Sequence, residues 1–116
     1  MLQTKNFVLE HSFNFALKII DYCELLESKR KFVVANQLLR SGTSVGANIR
    51  EAQNPHSRAD FISKFVIASK EASEAEYWLL LCKESATYPD PGDLIERIVE
   101  LRKLISKIIS SSKKNY

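Results

Sequence analysis

The chain has 116 residues, of which 45% are hydrophobic and 27% charged, with a formal net charge of +3, three Gly, three Pro and two Cys. That apolar content excludes a disordered chain and suffices for one core. The longest apolar run, residues 77–82, falls far short of the ~20 residues of a membrane-spanning helix. Glu10 and His11 interrupt the place where a secretion signal carries an unbroken apolar stretch, so a soluble, cytoplasmic, single domain over residues 1–116 is expected.

Few turn residues in this length point to long elements. Leu9, Phe13, Ala16, Ile20 and Cys23 recur at steps of four and three, broadened by Leu17, Leu25 and Leu26. They predict a first helix over residues 4–28 with that face on the core. Ser28, Lys29, Arg30 and Lys31 read as a short connection. Val34, Leu38, Val45, Ile49 and Ala52 predict a second helix over 32–53, ended by Asn54-Pro55.

The third helix, over 58–86, is the clearest. Phe61, Phe65, Ala68, Ala72, Ala75, Leu79, Cys82 and Ala86 alternate steps of four and three without a slip. Ser57 and Asp60 form a capping-box-like start, and Tyr88-Pro89 stops the pattern because the residue before Pro leaves the α region. Asp90-Pro91 then reads as a cap and first helical position, opening a fourth helix over 91–112 along Leu94, Ile98, Leu101, Ile105 and Ile108. Residues 113–116 form a frayed basic tail. Four long helices with short connections predict an all-α fold, an antiparallel up-down-up-down four-helix bundle.

Catalytic patterns are scarce. Residues 42–46 match G-x-S-x-G, but the nucleophile elbow needs a strand feeding a strained turn above a sheet, and the flanks here are helical in pattern. Packing explains the stretch better. Gly42 and Gly46 lie four apart on one helix face, where two glycines cost about 1 kcal/mol each relative to Ala unless a neighbouring helix approaches closely. His11 and His56 lack zinc spacing, and no Glu-x-x-His supports a di-iron site. Cys23 and Cys82 read as buried thiols, with a disulfide open if their helices are neighbours. No catalytic residue, metal or cofactor is expected.

Charge is uneven along the chain. Residues 71–100 carry eight acids and two bases, whereas residues 101–116 carry five bases and no acid. In an up-down-up-down bundle Lys5, Arg50, Arg58, Lys107, Lys113 and Lys114 gather at one end, against Glu10, Glu51 and Asp60. Lys29, Arg30 and Lys31 sit at the other end, where Asp90 and Asp93 partly neutralise them. A basic end can track phosphates, so these nine bases, with Arg40 assignable to either end, are the candidate nucleic-acid-binding residues. Asn48, on the second helix's seam, either belongs to a binding site with Glu51 or fixes helix register, with Glu51 paired to Arg50 or Arg40.

Tyr77, Trp78, Leu79, Leu80 and Leu81 are five apolar residues in a row, enough to cover the whole circumference of a helix. One bundle face cannot hide them all, and Val66 repeats the problem about three turns earlier. An apolar stripe along the outside of the third helix is therefore expected, with Val66, Tyr77, Trp78, Leu80 and Leu81 as interface residues of a closed cyclic homo-oligomer.

Residues 44–52, Ser-Val-Gly-Ala-Asn-Ile-Arg-Glu-Ala, preceded by Gln37-Leu38-Leu39-Arg40 and followed by Ser57, Asp60-Phe61 and residues 68–75, Ala-Ser-Lys-Glu-Ala-Ser-Glu-Ala, resemble the 23S rRNA intervening-sequence protein family, also called the S23 or four-helix-bundle protein family. The likeness runs from about Phe7 to Ser85, with Ala52 where many members have Gly. It implies a bacterial four-helix bundle, often a ring of five subunits, whose genes can lie inside intervening sequences of 23S rRNA genes. It also implies kinship with the accessory variability protein of diversity-generating retroelements, a basic pentameric bundle that binds nucleic acid and a reverse transcriptase. The function expected is that of a non-enzymatic oligomer binding structured RNA or a ribonucleoprotein. The alternative is a structural or protein-interaction module without RNA contact.

Overall fold

Four helices run in chain order: α1 (Leu2–Ser28), α2 (Phe32–Glu51), α3 (Arg58–Glu84) and α4 (Leu94–Lys114). The structure, a computed structural model, describes residues 2–114, with side chains over residues 7–114. There is no strand among the described residues. Consecutive helices pack side by side and α4 closes loosely on α1, while the backbones of the diagonal pairs stay apart. The result is the antiparallel up-down-up-down bundle that the spacing predicts, 48 × 22 × 19 Å.

The seams of α3 and α4 are the ones read from the sequence, except at the ends of α3, where Phe61 is half-buried and Ala86 is exposed beyond the helix. Phe65, Ala68, Ala72, Ala75, Leu79 and Cys82 of α3, and Leu94, Ile98, Leu101, Ile105 and Ile108 of α4, are all buried. The alanines make α3 thin, so its neighbours come close and interleave larger side chains such as Leu38, Ile49 and Ile98. Ser57 caps α3, its Oγ accepting from Asp60 N at 3.0 Å. The Asp60 carboxylate reaches back one residue beyond the usual capping-box position and accepts from His56 N at 3.1 Å.

On α1 the expected face is correct only near the C-terminal end, at Cys23 and Leu26. The buried line is Val8, Ser12, Phe15, Ile19, Tyr22, Cys23 and Leu26. Of the face expected in the core, Cys23 and Leu26 are buried, Leu9 and Ala16 are half-buried, and Phe13, Leu17, Ile20 and Leu25 are exposed. Both sets share the same period, so α1 is apolar on two sides. The glycines of α2 decide between them. A Cβ on Gly42 would lie 3.0 Å from Ile19 Cγ1 and Cγ2, and one on Gly46 would lie 3.3 Å from the Ser12 carbonyl oxygen. The Ile19 and Ser12 side of α1 is therefore the side that α2 admits.

The connections also differ in detail. α2 and α3 each end two residues before the expected boundary, at Glu51 and Glu84. Asp90 does not cap a helix opening at Pro91. Its Oδ1 accepts from Gly92 N at 3.1 Å, Gly92 takes φ +63, and α4 starts at Leu94. A short Asx turn wins over the cap because Gly92 adopts the left-handed region without steric cost. The connection between α1 and α2 is a Schellman turn, with Lys31 N on Leu26 O at 2.9 Å and Arg30 N on Glu27 O at 2.8 Å. Arg30 occupies its left-handed position at φ 64, where glycine is the usual residue.

Candidate nucleic-acid interface

The last turns of α4 carry the clearest basic surface. No carboxylate follows Glu100 in the chain. Lys103, Lys107 and Lys114 lie four and seven residues apart and so share one outward line. All three are exposed, as is Lys113 beside them, and none makes an ion pair among the described residues. Lys103 was overlooked in the sequence because the bases were grouped by bundle end. Its four-residue step to Lys107 was the available signal.

The same end receives the start of α3 and the end of α2. Arg58 Nη1 donates to the Ser112 carbonyl at 3.2 Å, tying the first turn of α3 to the last turn of α4. Arg50 is exposed at the end of α2 and borders a groove against α1. Arg50, Arg58, Lys107, Lys113 and Lys114 are thus brought to one end region of the bundle. The side chain of Lys5 lies outside the described residues.

At the opposite end the bases are divided. Lys31 is engaged, its Nζ 3.1 Å from Thr87 Oγ1 and 4.9 Å from the centre of the Tyr88 ring. Lys29 and Arg30 are exposed. The expected neutralisation by Asp90 and Asp93 does not occur. Asp90 holds the Gly92 amide, while Asp93 accepts from Arg97 Nε at 2.8 Å and stands 3.6 Å from Lys18. Arg97 and Lys18 hold the Asp93 carboxyl below the usual carboxylate range, the Arg97 hydrogen bond contributing most.

Arg40 belongs to neither end. Its guanidinium bridges α2 to α3, with Nη1 3.1 Å from Glu71 Oε2 and Nη2 on Glu74 Oε2. Glu74 also accepts from the Trp78 indole at 3.0 Å. That indole bond and then Arg40 hold Glu74 below its ordinary value. Arg40 is therefore a fastening between helices, with its donors directed at Glu71 and Glu74 while the side chain stays half exposed. Arg102 is held likewise by Glu76 at 2.7 Å. Glu51 pairs with Lys64 of α3 at 2.9 Å, not with Arg50 or Arg40 as expected. Asn48 donates to the Ser44 carbonyl at 2.8 Å within α2, which accounts for its half-buried amide.

Two apolar surfaces remain outside the core. Along α3, Tyr77, Leu80 and Leu81 are exposed and Val66 half-buried. Trp78 stands apart, half-buried against the core on the α2 side. The second surface was missed in the sequence because its residues were assigned to the core. It is a groove of about 400 Å³ between α1 and α2, with Leu9, Phe13 and Ala16 on one wall and Thr43, Gly46 and Ala47 on the other, flanked by Glu10 and Arg50.

Chemistry beyond binding finds little support. Ser44 lies inside α2, half-buried, its Oγ donating to the Arg40 carbonyl at 2.6 Å, so no elbow lifts it to a substrate. Cys23 and Cys82 are free and buried. Burial raises both thiols, Cys23 up to about 12. Among the described residues no group of three or more His, Cys, Asp or Glu is placed to hold a metal ion, and no helix is long and apolar enough to cross a membrane.

The comparisons agree with this architecture. The family model described as 23S rRNA-intervening sequence protein matches residues 4–108. The crystal structure of a protein of unknown function from the S23 ribosomal protein family of Bacteroides thetaiotaomicron superposes with a TM-score of 0.87 at 43% identity, covering 92% of this chain and 98% of that one. No curated protein matches. A bundle of this topology, matched in sequence over nearly all its helical length, leaves one assignment: the chain belongs to the 23S rRNA-intervening sequence protein family.

Proposed function

We propose that this protein is a non-enzymatic, self-associating RNA-binding protein of the cytoplasm, which holds structured RNA or a ribonucleoprotein against the C-terminal half of α4. The carrying observation is the row of Lys103, Lys107 and Lys114, exposed, uncompensated and aligned on a rigid helix. Such a row neutralises backbone phosphates and releases the counterions condensed on them, and each subunit of an assembly would add another row. The family's description as 23S rRNA-intervening sequence protein supports RNA as the polyanion. Arg58 acts indirectly in this reading, by fixing the end of α4.

Binding of a structured rRNA fragment at low and rising salt tests the reading. The wild-type protein should bind, with log affinity falling linearly against log salt. The variant K103E/K107E/K114E should lose at least tenfold in affinity and flatten the salt slope, while its helical signal stays unchanged. Absence of wild-type binding at low salt would sink the reading. Equal binding by the variant would move the site to Lys29 and Arg30. The second reading, a protein-interaction module, draws on the exposed apolar surfaces of α1 and α3.

A further inference from the structure

The trough between α3 and α4 is lined by hydroxyls that the fold does not use. Glu76 of α3 meets Arg102 of α4 across it at 2.7 Å, which fixes the side of each helix that faces the other. Ser73 and Ser69 stand three and seven residues before Glu76, and Ser106 and Ser110 four and eight after Arg102, so all four lie along that trough. Ser73, Ser106 and Ser110 are exposed and Ser69 is half-buried, and none of the four makes a hydrogen bond among the described residues. Ser12, Ser28, Ser41 and Ser44 behave differently, each donating to a carbonyl of its own helix. Beside Arg102 the trough deepens into a hollow of about 440 Å³, bounded by Glu76, Val99, Arg102, Lys103 and Ser106. Lysines border it on both edges: Lys103 and Lys107 next to Ser106 on α4, and Lys70, exposed and one turn before Ser73, on α3. The carboxylates within reach are already engaged. Glu71 and Glu74 hold Arg40, Glu76 holds Arg102, and Glu100 turns towards α1, 3.6 Å from His11.

We propose that the RNA held at this site is an A-form duplex, set with its minor groove over the α3–α4 trough. The inference rests on the RNA reading above and narrows it to one kind of RNA. The A-form minor groove is wide and shallow and displays ribose 2′-hydroxyls between two phosphate strands. The trough presents the complementary order, with hydroxyls that both donate and accept along its middle and lysines at its two edges. Lys103, Lys107 and Lys114 follow one strand over roughly 16 Å of helix, and Lys70 reaches the other. Single-stranded RNA is gripped by stacking its bases on aromatic rings, and no ring lines the trough. Tyr77 stands past Glu76, away from the basic end, and Phe7 belongs to α1, where its ring meets His11 edge-on at 5.6 Å. Contacts to phosphate and sugar carry no sequence information, so the duplex is recognised by shape and by its 2′-hydroxyls. Tyr77, Leu80 and Leu81 all follow Glu76 in the chain, so self-association through them leaves the trough open.

Probes of one arbitrary sequence decide it by fluorescence anisotropy: an RNA duplex, the same duplex as DNA, and one of the RNA strands alone. The wild type should bind the RNA duplex about tenfold more tightly than either of the others, and an RNA duplex of unrelated sequence equally well. The variant S69A/S73A/S106A/S110A keeps every charge and gains helix propensity, so folding is not at risk. Its preference for RNA over DNA duplex should shrink about threefold or more, with the salt slope unchanged. K70E should weaken binding of the RNA duplex about threefold or more and flatten the salt slope, although Lys70 lies on a different helix from the α4 row. Equal binding of strand and duplex, or of DNA and RNA duplexes, overturns the A-form inference and leaves the α4 lysines as a general polyanion site. Full RNA preference in the serine variant, or unchanged affinity in K70E, takes the trough out of the contact and overturns it too. Failure of the wild type to bind any of the probes at low salt overturns the RNA reading itself.

Discussion

Gly42 of α2 and Ile19 of α1 are in contact so close that any side chain at Gly42 displaces Ile19: a Cβ on Gly42 would lie 3.0 Å from both γ carbons of Ile19. Ile19 is fully buried and branched at Cβ, so neither γ carbon can swing aside. Gly42→Ala gains about 1 kcal/mol of helix propensity but overpacks the seam at a cost of about 1–3 kcal/mol. A net loss of stability is expected in urea denaturation. Gly46→Ala meets the Ser12 carbonyl oxygen at 3.3 Å, a tight contact that needs α1 to give by only a few tenths of an ångström, and should be the milder change. The reverse order would show that α1 shifts to make room at Gly42.

Arg40 fastens α2 to α3 through Glu71 and Glu74, and Glu74 in turn holds the Trp78 indole. The effects of Arg40→Ala and Glu74→Gln on stability should therefore be less than additive, as measured by a double-mutant cycle. RNA affinity should be nearly unchanged by Arg40→Ala, since its guanidinium is already occupied. A loss of affinity matching that of the α4 lysine variants would place Arg40 in the interface instead.

Acid should loosen the bundle through the same groups. Glu74 and Asp93 have folded-state pKa values below their ordinary ones, Glu74 because of Trp78 and Arg40, Asp93 mainly because of Arg97. A depressed carboxyl stabilises the fold above its unfolded-state pKa, and the contribution is lost as pH falls through the folded-state value. The Tm should accordingly be level above about pH 5 and decline below about pH 4. Glu74→Gln should make that decline shallower. An identical decline in the variant would assign it to other carboxylates.

The thiols should be silent in the folded protein. Cys23 is pushed up to about 12 by burial and Cys82 is raised by the same cause. At pH ~8 almost no thiolate forms at either sulfur. A thiol reagent should label neither cysteine until denaturant is added, and then both. Prompt labelling of the native protein would mean that this end of the bundle opens readily.

Arg30 holds a left-handed conformation at φ 64 where glycine would be unstrained. Arg30→Gly is expected to raise stability by about 1 kcal/mol, seen as a higher midpoint in thermal denaturation. A lower midpoint would mean that the arginine side chain itself supports the turn.

How far the sequence reaches depends on how many faces a helix has to offer. On α3 the residues buried were those spaced at four and three, because polar side chains such as Lys70 and Ser73 break any rival line of the same period. α4 was legible for the same reason, and Ser57 announced the start of α3 because its hydroxyl needs only the amide three residues on. On α1 two apolar lines coexist with the same rhythm, and nothing local distinguishes Phe13 from Phe15. The choice belongs to packing: Gly42 and Gly46 open a path in α2 that fits Ile19 and Ser12, which leaves Phe13 outside. Charge partners were decided the same way. Arg40 finds Glu71 and Glu74, and Glu51 finds Lys64, because adjacent helices bring them within reach across gaps of 31, 34 and 13 residues in the chain. Period and capping are local, and the sequence determines them directly. Which apolar face is covered and which base is left for a partner depend on neighbours distant in the chain, and only the tertiary structure settles those.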